Sequence, residues 1–227
     1  MDRAGRGERE VVLAPVGWLT LLIAVSGWIV LWLRVSAMAL GLWIFCDWTS
    51  DCSAILWSNA PFYLATLGLV APAVPISLAL HRRRIGPRYL RAATLITGCV
   101  ALIVLVIAIV AAYDWMWSNY VGPFGLDLPR RPEHLSAEVR TTSWAVWPPF
   151  LGAWMALTSI QLVRAAIPFA IAGIGVIVGV AAMATAPYGA ESFVSEALAP
   201  LELILAMVWA AAVGIYLVTA RSATAAA

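Results

Sequence analysis

The sequence has no lysine: its fourteen cations are all arginine, set against twelve carboxylates and two histidines. The missing lysine reads as a coding bias toward GC-rich codons rather than as physics. The net charge of +2 gives a polyanion little to bind, so no nucleic-acid partner is expected. Charged residues make up only 11% of the chain, against about 25% in a soluble domain. A soluble globular fold is thereby excluded.

Reactive constellations are equally scarce. There is no GxSxG, and no cysteine has a histidine near it in sequence, so nucleophilic catalysis has no residues to run on. His81 and His134 fall on opposite sides of the membrane in the topology below, which prevents them from sharing a metal or haem. Cys46 and Cys52, with Asp47 and Asp51, have a spacing that fits no common zinc pattern. Carboxylates, the usual mark of a proton relay, are missing from the middle of the apolar runs, and Glu202 comes closest at the end of one. No enzyme activity, metal or cofactor is expected, and Cys99 reads as a small buried apolar residue.

What the chain has is hydrophobic residues, 63% of the total, and a mean hydropathy of +0.91. Six apolar runs are long enough to cross a bilayer core of about 30 Å: 12–33, 60–80, 92–113, 145–163, 167–186 and 200–219. Backbone groups in lipid must bond within their own segment, so these are helices. The alternating segments of about ten residues that build a membrane β-barrel are absent. The expected fold class is an all-α, polytopic integral membrane protein, a six-helix transmembrane bundle forming one domain over 1–227. Its outer loops are 34–59, 114–144 and 187–199.

Arginine placement sets the orientation. With the N-terminus cytoplasmic, Arg3, Arg6, Arg9, Arg82, Arg83, Arg84, Arg88, Arg91, Arg164 and Arg221 lie inside, and only Arg130, Arg131 and Arg140 lie outside. Both termini are then cytoplasmic, in a multi-pass protein of the cell membrane. The first run is longer than the 7–15 apolar residues of a signal peptide, so it is expected to stay as an uncleaved span. Arg34 belongs at the outer surface if the first helix stops near Leu33, which is the expectation here. A helix carried on to Phe45 would place it in the outer leaflet instead.

Local signals add detail. Pro61, Pro72 and Pro75 fall in the second span, where proline removes a donor and kinks a helix; this fits transport gating or simple packing irregularity. The inner loop HRRRIGPRYLR holds Arg82, Arg83, Arg84, Arg88 and Arg91, which fix topology and can attract anionic lipid. Ser136 can cap a short surface helix in the long outer loop. Gly175 and Gly179 form a small-xxx-small pair suited to close helix packing.

The stretch GLWIFCDWTSDC (41–52) puts Cys46 and Cys52 outside, where a disulfide persists. A disulfide is expected over a redox pair, because CxxC spacing is lacking. Trp32, Gly41, Leu42 and Trp43, with Cys46 and Cys52 after them, resemble the first-loop motif of claudins and the peripheral myelin tetraspans. The resemblance covers about Val11–Arg164; the closely spaced cysteines, the short first loop and the two spans after Arg164 depart from that family. It implies a loop stapled by Cys46–Cys52 and an adhesion, barrier or accessory role.

The function expected from these residues is that of a non-catalytic accessory or scaffolding subunit, working through helix packing and Trp-rich outer loops with a protein partner or a second copy. The alternative is the membrane subunit of a permease or small-solute transporter. A mid-membrane polar path, or an unwound helix at Pro72–Pro75, would favour transport.

Overall fold

A computed structural model describes residues 3–39, 52–118, 135–164, 167–185 and 193–225, and these are almost wholly helical, with no strand among them. The helices are α1 (Arg3–Ala39), α2 (Cys52–Val70), α3 (Ala73–Arg82), α4 (Arg88–Ser118), α5 (Ala137–Arg164), α6 (Phe169–Thr185) and α7 (Phe193–Ala225). Five candidate spans meet the length and apolarity needed to cross a membrane: Leu13–Leu33, Ala60–Arg82, Arg88–Asp114, Thr142–Arg164 and Leu201–Thr219. A shorter apolar helix, Phe169–Ala184, lies where the fifth span was expected.

The spans close into a ring. α1 packs on α2, the broken α2/α3 span on α4, α4 on α5, α5 on α6, α6 on α7, and α7 back on α1. Neighbours run antiparallel. Gly17 lies against Gly214 and Gly27 against Met207 across α1 and α7; Gly152 lies against Gly179 across α5 and α6. The turn between α3 and α4 therefore shares an end of the bundle with the start of α1, the end of α5 and the end of α7. His81, Arg82, Arg83, Arg84, Arg88 and Arg164 are exposed at this arginine end.

Large aliphatic side chains cover the outside of the bundle as well as its core. Ile96, Ile103, Val110, Ile177, Val208 and Ile215 are exposed, while Thr20, Ser77, Thr94, Thr158, Ser159 and Gln161 are buried. Lipid is as apolar as leucine, so polar groups turn to the protein interior and small residues bring the helices close. A Cβ on Gly152 would lie 2.7 Å from the Gly179 carbonyl oxygen and 2.8 Å from the Ala182 Cβ. The Gly175/Gly179 pair does pack closely on α5, as its spacing suggested.

Element ends differ from the expected ones for local reasons. α1 does not stop near Leu33 but continues to Ala39, since Arg34–Ala39 holds neither glycine nor proline; Arg34 is thus a helical residue. α2 begins at Cys52 and α7 at Phe193, so both take residues expected in outer loops. Ser136 caps α5 itself and not a separate surface helix: its hydroxyl accepts from the Val139 N–H at 3.3 Å. Leu135 just before it donates to the Asp114 carboxylate at 2.8 Å, tying the ends of α4 and α5 together.

The second span is two helices. Pro72 has no N–H for the Gly68 carbonyl, and its ring collides with a preceding helical turn. The chain turns at Ala71–Pro72 and restarts, with Pro72 at the N-cap position of α3. The Ile76 N–H bonds the Pro72 carbonyl at 3.0 Å. Pro75 falls in the first turn of α3, where no N–H has a helical partner in any case.

Candidate functional site

The break lies at the level of the bundle's centre. At about 1.5 Å per residue, Ala73 in α3, Gly98 in α4, Trp154 in α5 and Trp209 in α7 each sit roughly 15 Å from the arginine-end terminus of their span. Trp154 and Trp209 are fully buried and meet edge-to-face, with ring centroids 6.2 Å apart at 88°. Gly98 makes room for the first indole: a Cβ there would stand 3.1 Å from Trp154 Cδ1 and 3.4 Å from the Ala73 Cβ.

From this aromatic layer a column of polar groups descends toward the arginine end. Trp154 Nε1 donates to Ser77 Oγ at 2.8 Å, and Ser77 donates to the Ala73 carbonyl at 2.7 Å, one turn beyond the break. Thr94 donates to the Leu90 carbonyl at 2.8 Å. Gln161 Nε2 donates to the same carbonyl at 3.0 Å and to the Thr94 hydroxyl. Below Gln161 is Gly86, where a Cβ would meet Gln161 Cγ at 3.4 Å. Gly86 has φ +82°, a conformation that glycine takes freely. Arg91 closes the column, its guanidinium donating to the His81 carbonyl at 3.3 Å.

Trp154, Thr158 and Gln161 recur at i, i+4 and i+7, one face of α5. Ser159 lies on the other side with Gly152 and Ala156, facing α6. Ser159 Oγ and Trp209 Nε1 both occupy the space a Cβ on Gly175 would need. Five buried polar atoms here have no hydrogen-bond partner: Arg91 Nε, Thr158 Oγ1, Ser159 Oγ, Gln161 Oε1 and Trp209 Nε1. Each such atom costs about 1–3 kcal/mol.

Beyond the tryptophan pair Leu69, Ala101, Leu105, Ile109 and Val178 are buried, together with the hydroxyl residues Ser26, Thr66 and Ser143. Farther on, Tyr63 packs against Tyr113 at 5.1 Å and Trp144 at 6.1 Å, and Trp144 meets Trp147 at 6.4 Å. The hydrogen-bonded polar groups Ser77, Thr94 and Gln161 thus lie on the arginine-end side of the tryptophan pair, and an aromatic cluster lies on the other.

Of the residues singled out in the sequence, Trp32 is two-thirds exposed on the outer face of α1. Arg82, Arg83, Arg84 and Arg88 are exposed together at the α3–α4 turn, with Arg91 half-buried beside them. Gly41, Leu42, Trp43 and Cys46 lie outside the described residues, as does the side chain of Cys52, so the Cys46–Cys52 pairing lies outside them too. The sequence reading missed Ser77, Thr94, Trp154, Thr158, Gln161 and Trp209. It searched the spans for ionisable groups, whereas the available signal was uncharged polar residues repeating on one helix face.

A ring of antiparallel apolar helices with polar groups turned inward defines a membrane-embedded helical protein. Compared with family models, curated proteins and solved structures, the chain matches none.

Proposed function

We propose that the chain is the membrane subunit of a permease or small-solute transporter that carries a neutral polar solute. One observation carries this reading: the second span breaks at Ala71–Pro72 at the level where a buried polar column, rich in unpartnered atoms, meets the Trp154–Trp209 pair. Broken helices at mid-membrane are where transporters place their sites, because freed backbone and polar side chains can face a solute there. The break also divides the packing. α2 packs mainly on α1, whereas α3 packs mainly on α4 and also touches α5, so the two halves of one span can move with different neighbours. In this reading the aromatic side is closed, and the column leads from the cytoplasm to a gate formed by Trp154 and Trp209. The proposal takes both termini as cytoplasmic in a cell-membrane protein, with the arginine end against anionic lipid, and the excess of arginine on that side supports it.

The accessory or adhesion reading, toward which the claudin-like residues point, has its own support. Trp18, Trp28 and Trp32 are all at least 60% exposed along α1, a surface suited to a partner helix or a second copy. One experiment separates the two. The purified chain is reconstituted in liposomes, and urea and glycerol entry are followed by stopped-flow light scattering. Transport predicts entry faster than in protein-free vesicles for at least one solute. Unchanged entry, together with a stably co-purifying membrane protein, would move the assignment to an accessory subunit.

A further inference from the structure

The hydroxyls along this bundle follow a habit that Thr158 and its neighbour Ser159 break. Thr20, Thr66, Ser77, Thr94, Thr97 and Thr219 each donate to a carbonyl three or four residues back in their own helix, the usual way a membrane helix satisfies a hydroxyl. Thr158 is fully buried, yet its Oγ1 has no partner. One turn toward the arginine end, on the same face of α5, Gln161 is held by its nitrogen alone. Nε2 is spent on the Leu90 carbonyl and the Thr94 hydroxyl, both on α4. That anchoring fixes the amide plane and leaves Oε1 buried, preorganised and unpartnered. A carbonyl can only accept, and Oε1 receives no donor from the chain in this arrangement.

We infer that Thr158 Oγ1 and Gln161 Oε1 are the recognition pair for one small neutral group bearing a hydrogen-bond donor beside an acceptor, as a carboxamide or an alcohol does. The solute's N–H or O–H donates to Gln161 Oε1, and its oxygen accepts from the Thr158 hydroxyl. At i and i+3 the two side chains are about 5–6 Å apart at Cβ, which a group of this size bridges. The column between Trp154 and Arg91 holds no ionisable side chain among those described, so a charged solute would meet no counter-charge at that depth. This names the solute class of the path proposed above and rests on that reading.

The test uses acetamide and glycerol as probes, with Thr158→Val and Thr158→Ser as variants of the full chain. Flux is read in proteoliposomes, and binding is read on detergent-solubilised protein by saturation-transfer NMR of the probe's C–H protons. Thr158→Val removes a hydroxyl that makes no bond within the protein, so a merely structural residue would leave both readouts unchanged. Recognition predicts that flux and saturation transfer of at least one probe fall about tenfold with no drop in thermal midpoint, and that Thr158→Ser restores them. An acetamide response assigns the group as an amide, and a glycerol response as a hydroxyl. Wild-type flux and binding in Thr158→Val would overturn the pair. If wild type moves neither probe yet binds one in a Thr158-dependent way, the site stands and the transport reading falls. No saturation transfer from either probe in wild type means the pair holds water only, and the inference fails.

Discussion

Trp154 and Ser77, seventy-seven residues apart in sequence, are joined by a 2.8 Å hydrogen bond from the indole N–H to the serine hydroxyl. The bond fastens α5 to the short helix that restarts after the proline break. Ser77→Ala leaves a fully buried N–H without an acceptor. Polar pairs between membrane helices are worth about 0.6 kcal/mol on average and up to about 1.7, and the orphaned donor adds its own cost. A loss of about 1–2 kcal/mol is expected in reversible unfolding by SDS titration. In a cycle with Trp154→Phe the two losses should be less than additive, and full additivity would show that the bond contributes nothing.

The glycines of α5 and α6 make opposite predictions at closely matched positions. On Gly152 a Cβ would lie 2.7 Å from a backbone oxygen of α6, whereas on Gly173 it would have nothing within 4 Å. Backbone cannot rotate away, so Gly152→Ala must push the two helices apart, at about 1–3 kcal/mol. Gly173→Ala should be neutral or should stabilise by up to about 1 kcal/mol through helix propensity. Thermal midpoints of the two variants in one detergent decide the matter, and equal shifts would refute the crossing described here.

Much of the scaffold was legible in the sequence, for a physical reason: hydrophobic length and arginine placement are one-dimensional signals. The runs 92–113 and 145–163 lie within α4 and α5, and the arginines of 82–91 gather at one end. The split of the second span was half legible, since Pro72 and Pro75 marked it but did not say which of them breaks the helix. Pro72 does, because Pro75 falls within the first turn of α3, where a missing N–H costs nothing. The polar column was hidden because its members are neutral. Thr158 and Gln161 carry no charge to mark them as functional, and their unpartnered state depends on which helices surround them. Ring closure between α1 and α7, which no short-range pattern encodes, decides that.

The arginine turn should behave as a lipid site whose strength is electrostatic. Arg82, Arg83, Arg84 and Arg88 are exposed there, and each basic residue near an anionic surface contributes about 1 kcal/mol. Replacing Arg82, Arg83 and Arg84 together with glutamine should strip co-purified phosphatidylglycerol or cardiolipin, as read by native mass spectrometry. Retention should fall with salt in the parent protein and become salt-insensitive in the variant. Equal lipid retention by the two proteins would limit these arginines to setting topology.

Pro72→Ala tests whether the break itself matters. The substitution supplies an N–H to the Gly68 carbonyl and removes the ring that forces the turn, so α2 and α3 can join into one helix. A continuous helix would rotate Ser77 away from Trp154, and the restored backbone bond would slow amide exchange across 71–74. Hydrogen exchange read by mass spectrometry should therefore show new protection in that segment. Under the proposed transport function, solute flux should fall even if the protein becomes more stable, because the two half-helices can no longer follow different neighbours. Pro61→Ala is the matched comparison: Pro61 already sits inside a continuous α2, so relieving it should leave flux unchanged. New protection in Pro72→Ala with flux at the parental level would show that the break is a packing accommodation and not a hinge.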